Sequence, residues 1–212
     1  MGDRGIEELV THIPKWTRLR NINLSENRVS DRAGEMLVKA LSHCRALQQI
    51  HLSRNNLGHS FAAMLGQVLP ALSELSELDL SENQMGSEGC SRLCEGLVSM
   101  KELKKLHLTS IGTSDLVTVA SCLKHCTSIE DISLSWNKCE NDVALKLAEV
   151  LPQCSKLKRL DLEANNINTS GAKALATCLQ FCPWIEVIRL WRNPITKDDP
   201  ILKDKRLNFS ST

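Results

Sequence analysis

The chain has 212 residues; 33 are leucine, none is tyrosine, and aromatics make up only 3%. Basic and acidic residues nearly balance, 26 against 25, so the net charge of +1 provides no global attraction to nucleic acid or an anionic membrane. No apolar run reaches the ~18 residues of a membrane span, and the start Met1-Gly2-Asp3-Arg4 lacks the apolar core of a secretory signal. A core built almost wholly from branched aliphatics, without large rings to fill irregular gaps, suggests one packing solution used repeatedly.

From the N-terminus, Gly5, Ile6, Leu9, Val10 and Ile13 are spaced as the helical half of a repeat whose strand is missing. We read residues 5–18 as a partial first repeat, and the segment as a cut through a longer solenoid. Next comes the pattern Leu-x-x-Leu-x-Leu-x-x-Asn-x-Leu, seven times. Its first positions are Leu19, Leu47, Leu75, Leu103, Ile129, Leu157 and Ile185, with steps of 28 except one of 26. The first copy continues Ile22, Leu24, Asn27, Val29, and the second Ile50, Leu52, Asn55, Leu57. The fourth is irregular: it is two residues short and has Ile111 where the others have asparagine. A missing rung there breaks an asparagine ladder and should alter local curvature, either as a hinge or as simple drift.

Each half of the unit has a physical reading. Leu-x-Leu alternation is the period of a strand with one buried face. The asparagine at the bend can bond exposed backbone groups of its own turn and of the neighbouring one. The period then lengthens to helical spacing, as in Ala172, Leu175, Ala176 and Leu179. Expected caps are Thr169 or Ser170, with Asp31, Ser87 and Asn141 in other units. Repeats 19–196 should therefore stack strand on strand and helix on helix. The helices are the wider layer, so the sheet becomes the inside of a curve. In the tail, 197–212, Pro200, Ile201, Leu202, Leu207 and Phe209 can cover the last unit.

These repeats resemble the leucine-rich-repeat family in its ribonuclease-inhibitor-like class. The 28-residue unit carries that likeness, with the Gly-x-x-x-Leu-x-x-x-Leu helix of Gly89, Leu93, Leu97 and of Gly171, Leu175, Leu179. The resemblance implies an α/β horseshoe with a parallel concave sheet and convex helices, one domain over 1–212. Such units are similar to the C-terminal region of NOD-like receptors. A narrower likeness, to the branch of that family acting on MHC class I genes, rests on Val187–Ile195 and Arg206–Phe209. It implies a sensing, autoinhibitory or partner-binding arm in innate immune signalling and antigen-presentation gene expression, without enzymatic activity. The alternative is an enzyme inhibitor of the ribonuclease-inhibitor type, although that protein alternates two repeat lengths and is strongly acidic.

Candidate chemistry falls in three places. Nine cysteines occupy leucine-like positions without CxxC pairs; Cys44, Cys126, Cys154 and Cys182 share one column. They read as buried, reduced thiols of a cytoplasmic or nuclear protein rather than a metal site. His51, Asp79 and His107 share an outward column of the strands, but on an open face with no pocket to tune them they read as solvated or recognition residues. No catalytic set, metal or cofactor is expected. The third place is the concave face near the C-terminus, where Trp136, Arg159, Arg189, Trp191 and Arg192 project from positions that the first units fill with polar and charged residues and no tryptophan. Tryptophan and arginine dominate interface hot spots, so a protein partner is expected there. The other reading has Trp191 packed under the tail. Trp16 and Trp184 lie in helix-to-strand turns and read as structural.

Overall fold

The computed structural model describes residues 2–211. Seven helices alternate with eight very short strands. The helices are α1 (Gly2–Leu9), α2 (Asp31–Leu41), α3 (His59–Val68), α4 (Gly86–Leu97), α5 (Val117–Cys122), α6 (Asn141–Val150) and α7 (Thr169–Cys178). The strands are β1 (Asn21–Asn23), β2 (Gln49–His51), β3 (Glu77–Asp79), β4 (Lys105–His107), β5 (Asp131–Ser133), β6 (Arg159–Asp161), β7 (Val187–Arg189) and β8 (Leu207–Asn208).

All eight strands pair in parallel, in chain order. The register follows the repeat: Ile22 lies opposite Ile50, Ile50 opposite Leu78, and so on to Leu160 opposite Ile188. The short fourth unit does not disturb it, since Leu106 still pairs with Ile132. Its deficit falls on the convex side, where α5 has 6 residues against 10–12 in α2, α3, α4, α6 and α7. Strands stack about 4.8 Å apart and helices about 8–10 Å apart, so the sheet takes the inner side of the stack. The tail contributes more than a cover. It adds β8, which pairs with β7 through Ile188 opposite Leu207.

The asparagines carry the turns from one repeat to the next. Asn55 Oδ1 accepts the amides of Asn27 and Val29 at 3.1 and 2.9 Å, while its Nδ2 donates to the carbonyls of Leu24 and Leu52. Asn83, Asn137, Asn165 and Asn193 make equivalent backbone bonds. Ile111 fills its slot as a fully buried side chain, and Asn137 still reaches back to the Ile111 amide at 2.8 Å. The ladder therefore loses one rung without losing the sheet.

The expected helix caps are shifted. Ser30 caps α2 by accepting from Ala33 N, and Asn168 caps α7 by accepting from Ser170 N. Asp31, Asn141 and Thr169 are instead the first helical residues. Side chains at that position lean beyond the helix start, towards the adjacent repeat. Asp31 Oδ1 accepts the amides of Gly58 and Phe61 at 2.8 Å, thus capping α3 rather than its own helix. Asn141 accepts from Asn168 N at 3.0 Å and Thr169 from Thr196 N at 2.8 Å. Helix α4 begins at Gly86, before Ser87, and its N-cap Met85 makes no side-chain cap bond.

Candidate functional site

The strands present outward positions in straight columns, because a parallel register keeps equivalent side chains neighbours across the sheet. The eighth repeat position follows each strand and is left-handed in every unit: Glu26, Arg54, Glu82, Ser110, Trp136, Ala164 and Arg192 all have φ between 51° and 61°. In this column the bend of every repeat turns one side chain outward along the same edge. In the first units it holds a charge chain. Arg54 donates to Glu26 at 2.7 Å and to Glu82 at 2.9 Å. At the other end it holds Trp136 and Arg192.

Three of the five expected partner-binding residues come together in the structure. The Arg192 guanidinium carbon lies 4.3 Å from the ring centroid of Trp191 and 5.2 Å from that of Trp136. Cation–π attraction accounts for the stack, since the indole face carries the negative end of the ring quadrupole. Trp136 is 51% exposed. Trp191 is half-buried, and the ring that packs with the tail against the core is Phe209, which is covered by Lys197 at 4.8 Å.

The other two residues, Arg159 and Arg189, line a shallow depression of about 270 Å³ in the middle of the sheet face. His107, Asp131, Ser133 and Asp161 also line it. Asp131 accepts from Arg159 Nε at 2.8 Å and lies 3.6 Å from His107 Nε2. The histidine and arginine pull the Asp131 carboxyl down to about 2. Asp131 in turn holds the His107 imidazole above its ordinary range, against the desolvation that opposes it. The sequence reading of the histidine column therefore needs correction. The partner of His107 is Asp131 on the next strand rather than Asp79 in its own column, and a depression does tune it. Asp79 lies directly opposite His107 in the parallel register, one unit away, and adds a weaker upward pull. Thr109, Ser133 and Ser135 link their hydroxyls at 2.8–3.0 Å beside this cluster.

Sequence reasoning missed a second hollow. The loop of the short fourth unit leaves an open notch of about 530 Å³, lined by Gln84, Ser110, Gly112, Thr113, Ser114, Trp136, Lys138 and Asn166, among others. Gly112 is left-handed at φ +81°, and a Cβ there would meet the Gln84 side-chain oxygen at 2.6 Å. The two-residue deletion was the available signal; its consequence needed the neighbouring loops in place.

All nine cysteines are free and buried. Burial pushes the thiols of Cys90, Cys126, Cys139 and Cys178 up to about 12, and Cys154 up to about 11. They are core residues held far from thiolate chemistry. Trp16 is 43% exposed. Trp184 is half-buried against the core, and its Nε1 has no hydrogen-bond partner. No helix among the described residues is long and apolar enough to cross a membrane.

A family model described as "Leucine Rich repeat" matches residues 73–94 and 153–176. Over its whole length the chain is 90% identical to protein NLRC5 of Ictalurus punctatus, spanning 12% of that protein. It is 36% identical over 86 residues to protein NLRC5 of Homo sapiens, which covers 41% of this chain and 4% of the human protein. The chain thus spans a small part of either relative. Among solved structures, internalin C2 of Listeria monocytogenes aligns with a TM-score of 0.56 at 19% identity, covering 88% of this chain and 77% of the internalin. The actin-binding site 2 of leiomodin-1 aligns with a TM-score of 0.56 at 12% identity, over 83% of this chain and 88% of that one. At those identities the likeness shows the fold alone.

Proposed function

The chain belongs to the leucine-rich-repeat proteins of the NOD-like receptor kind, and on that premise we propose that it is the C-terminal, partner-binding arm of such a receptor. It has no catalytic role of its own. It works as a scaffold that presents the C-terminal part of its concave face to a protein, in the sensing or autoinhibitory step of innate immune signalling and MHC class I gene regulation. The cytoplasm, with the nucleus as a second site, is the compartment this reading implies. Nine buried free thiols fit a reducing compartment.

The observation that carries the reading is the Trp136–Arg192–Trp191 stack beside Arg159 and Arg189. Two indoles on a wet sheet face are poorly placed for stability and well placed for association. No observation favours the enzyme-inhibitor alternative. Affinity capture from cell extract, quantified by mass spectrometry, tests the reading. The Trp136→Ala/Arg189→Ala double variant should lose the partners held by the wild-type chain, while the convex-face variant Phe181→Ser should keep them. An unchanged partner set in the double variant would sink the reading.

A further inference from the structure

Two features of the C-terminal half lie on either side of Trp136: the notch opened by the short fourth unit, and the Arg192 guanidinium. The arginines of the sheet face fall into two groups. Arg54 is held by Glu26 and Glu82, and Arg159 by Asp131. Among the described residues, Arg189 and Arg192 have no carboxylate within ion-pair distance; Arg192 is held by indole faces instead. A guanidinium gripped face-on keeps its N–H edges for an acceptor in its own plane, and a carboxylate is the acceptor whose two oxygens match that fork.

The notch offers the opposite chemistry. One wall is an exposed indole; the rim carries the amides and hydroxyl of Gln84, Asn166 and Ser114 together with the charged residues Lys138 and Glu140. Such a rim can bond the peptide groups of an extended chain, while the indole face takes an apolar or aromatic side chain. Trp136 and Arg192 stand two repeats apart in the chain, but their side chains meet, with the guanidinium carbon 5.2 Å from the indole centroid. In an extended peptide the side chains of residues two apart share one face at about 7 Å, close enough to reach both.

We propose that this edge binds a linear peptide segment carrying an aromatic or large apolar residue and, two positions along, an aspartate or glutamate. The ring enters the notch against Trp136 and the carboxylate docks on Arg192. The inference rests on the partner-binding reading above and narrows it to an acidic peptide. Two things make the two readings separable: the carboxylate requirement and the spacing.

Fluorescence anisotropy with short labelled peptides tests it. The intact chain should bind a Phe-x-Glu peptide about tenfold more tightly than the Phe-x-Gln peptide, or than one with Phe and Glu adjacent. These peptide arms leave the protein untouched, so folding cannot confound them. Arg192→Gln should bring the Glu and Gln peptides to equal affinity, and Trp136→Ala should weaken both alike, with circular dichroism confirming unchanged secondary structure. Equal binding of the Glu and Gln peptides by wild type overturns the proposal. So does a preference that survives Arg192→Gln, or binding of single-stranded oligouridine where no peptide binds. Loss of captured partners in the Trp136→Ala/Arg189→Ala variant, together with carboxylate-blind peptide binding, would leave the broader reading standing and remove this one.

Discussion

Single residues on this sheet acquire their properties from the neighbouring repeat. Asp131 and His107 lie on adjacent strands and shift one another in opposite senses, Asp131 down to about 2 and His107 upward. The signs of linkage follow. The depressed carboxyl contributes stability above its unfolded value near 3.8 and loses it as pH falls through about 2. The raised imidazole contributes fully below its unfolded value of 6.5 and loses that contribution as pH rises through its higher folded value. Urea unfolding followed across pH should therefore show wild type losing stability in both directions from mildly acidic pH. His107→Gln should flatten the loss above about pH 6.5, and Asp131→Asn should flatten both limbs. A His107→Gln profile that still falls like wild type above neutrality would remove this account. Neither partner could be assigned from the sequence. The columns were legible, but which column a side chain reaches across to depends on side-chain direction and on strand spacing.

Elements depend on the same cross-repeat bonding. A three-residue strand has too few ladder bonds to stand alone, so each turn except that of the fourth unit is held by an asparagine that serves two repeats. Asn83 is fully buried; it accepts from Leu57 N and donates to the carbonyls of Leu52 and Leu80. Asn83→Ala leaves those backbone groups unpaired in a dry interior, at about 1–3 kcal/mol for each group that water cannot reach. We expect a loss of roughly 3 kcal/mol, read as a lower urea midpoint, and markedly faster amide exchange at Leu57. A change under about 0.5 kcal/mol would show that water replaces the side chain. The strand and helix of each unit were legible from the switch between the two periods of leucine. Helix starts were not, because Asp31 and Asn141 look like caps in sequence and instead bond the next repeat, Asp31 capping α3 and Asn141 accepting the amide of Asn168. Sequence proximity favoured their own helix; helix packing placed the adjacent loop within reach.

At the scale of the whole molecule, an open stack leaves the outer edge of β7 to be paired. The tail pairs that edge with β8 and is held there by Arg206, which donates to the carbonyls of Leu179 and Cys182 at 3.1 Å while Asp204 holds its other edge at 2.7 Å. It thereby satisfies the carbonyl ends of the last helical turn and fastens the strand that covers β7. Arg206→Ala should free that strand before it affects the rest. Hydrogen exchange should accelerate at Ile188 and Leu190, whose amides bond Arg206 and Asn208 carbonyls, with β2 and β3 unchanged. Uniform acceleration along the chain would show one cooperative unit instead.

The sequence alone determined the repeat length, the strand-and-helix alternation, the buried cysteine columns and the five concave residues, because each follows from a period that one-dimensional order records. Only the tertiary structure decided that Arg192 lies between Trp136 and Trp191, that the loop between β4 and α5 opens a notch beside that ring, that His107 pairs with Asp131, and that the tail ends as an eighth strand. Those facts are distances between repeats. Their physical origin is the stacking of neighbouring units, which converts a separation of 24 to 56 residues along the chain into side-chain contact.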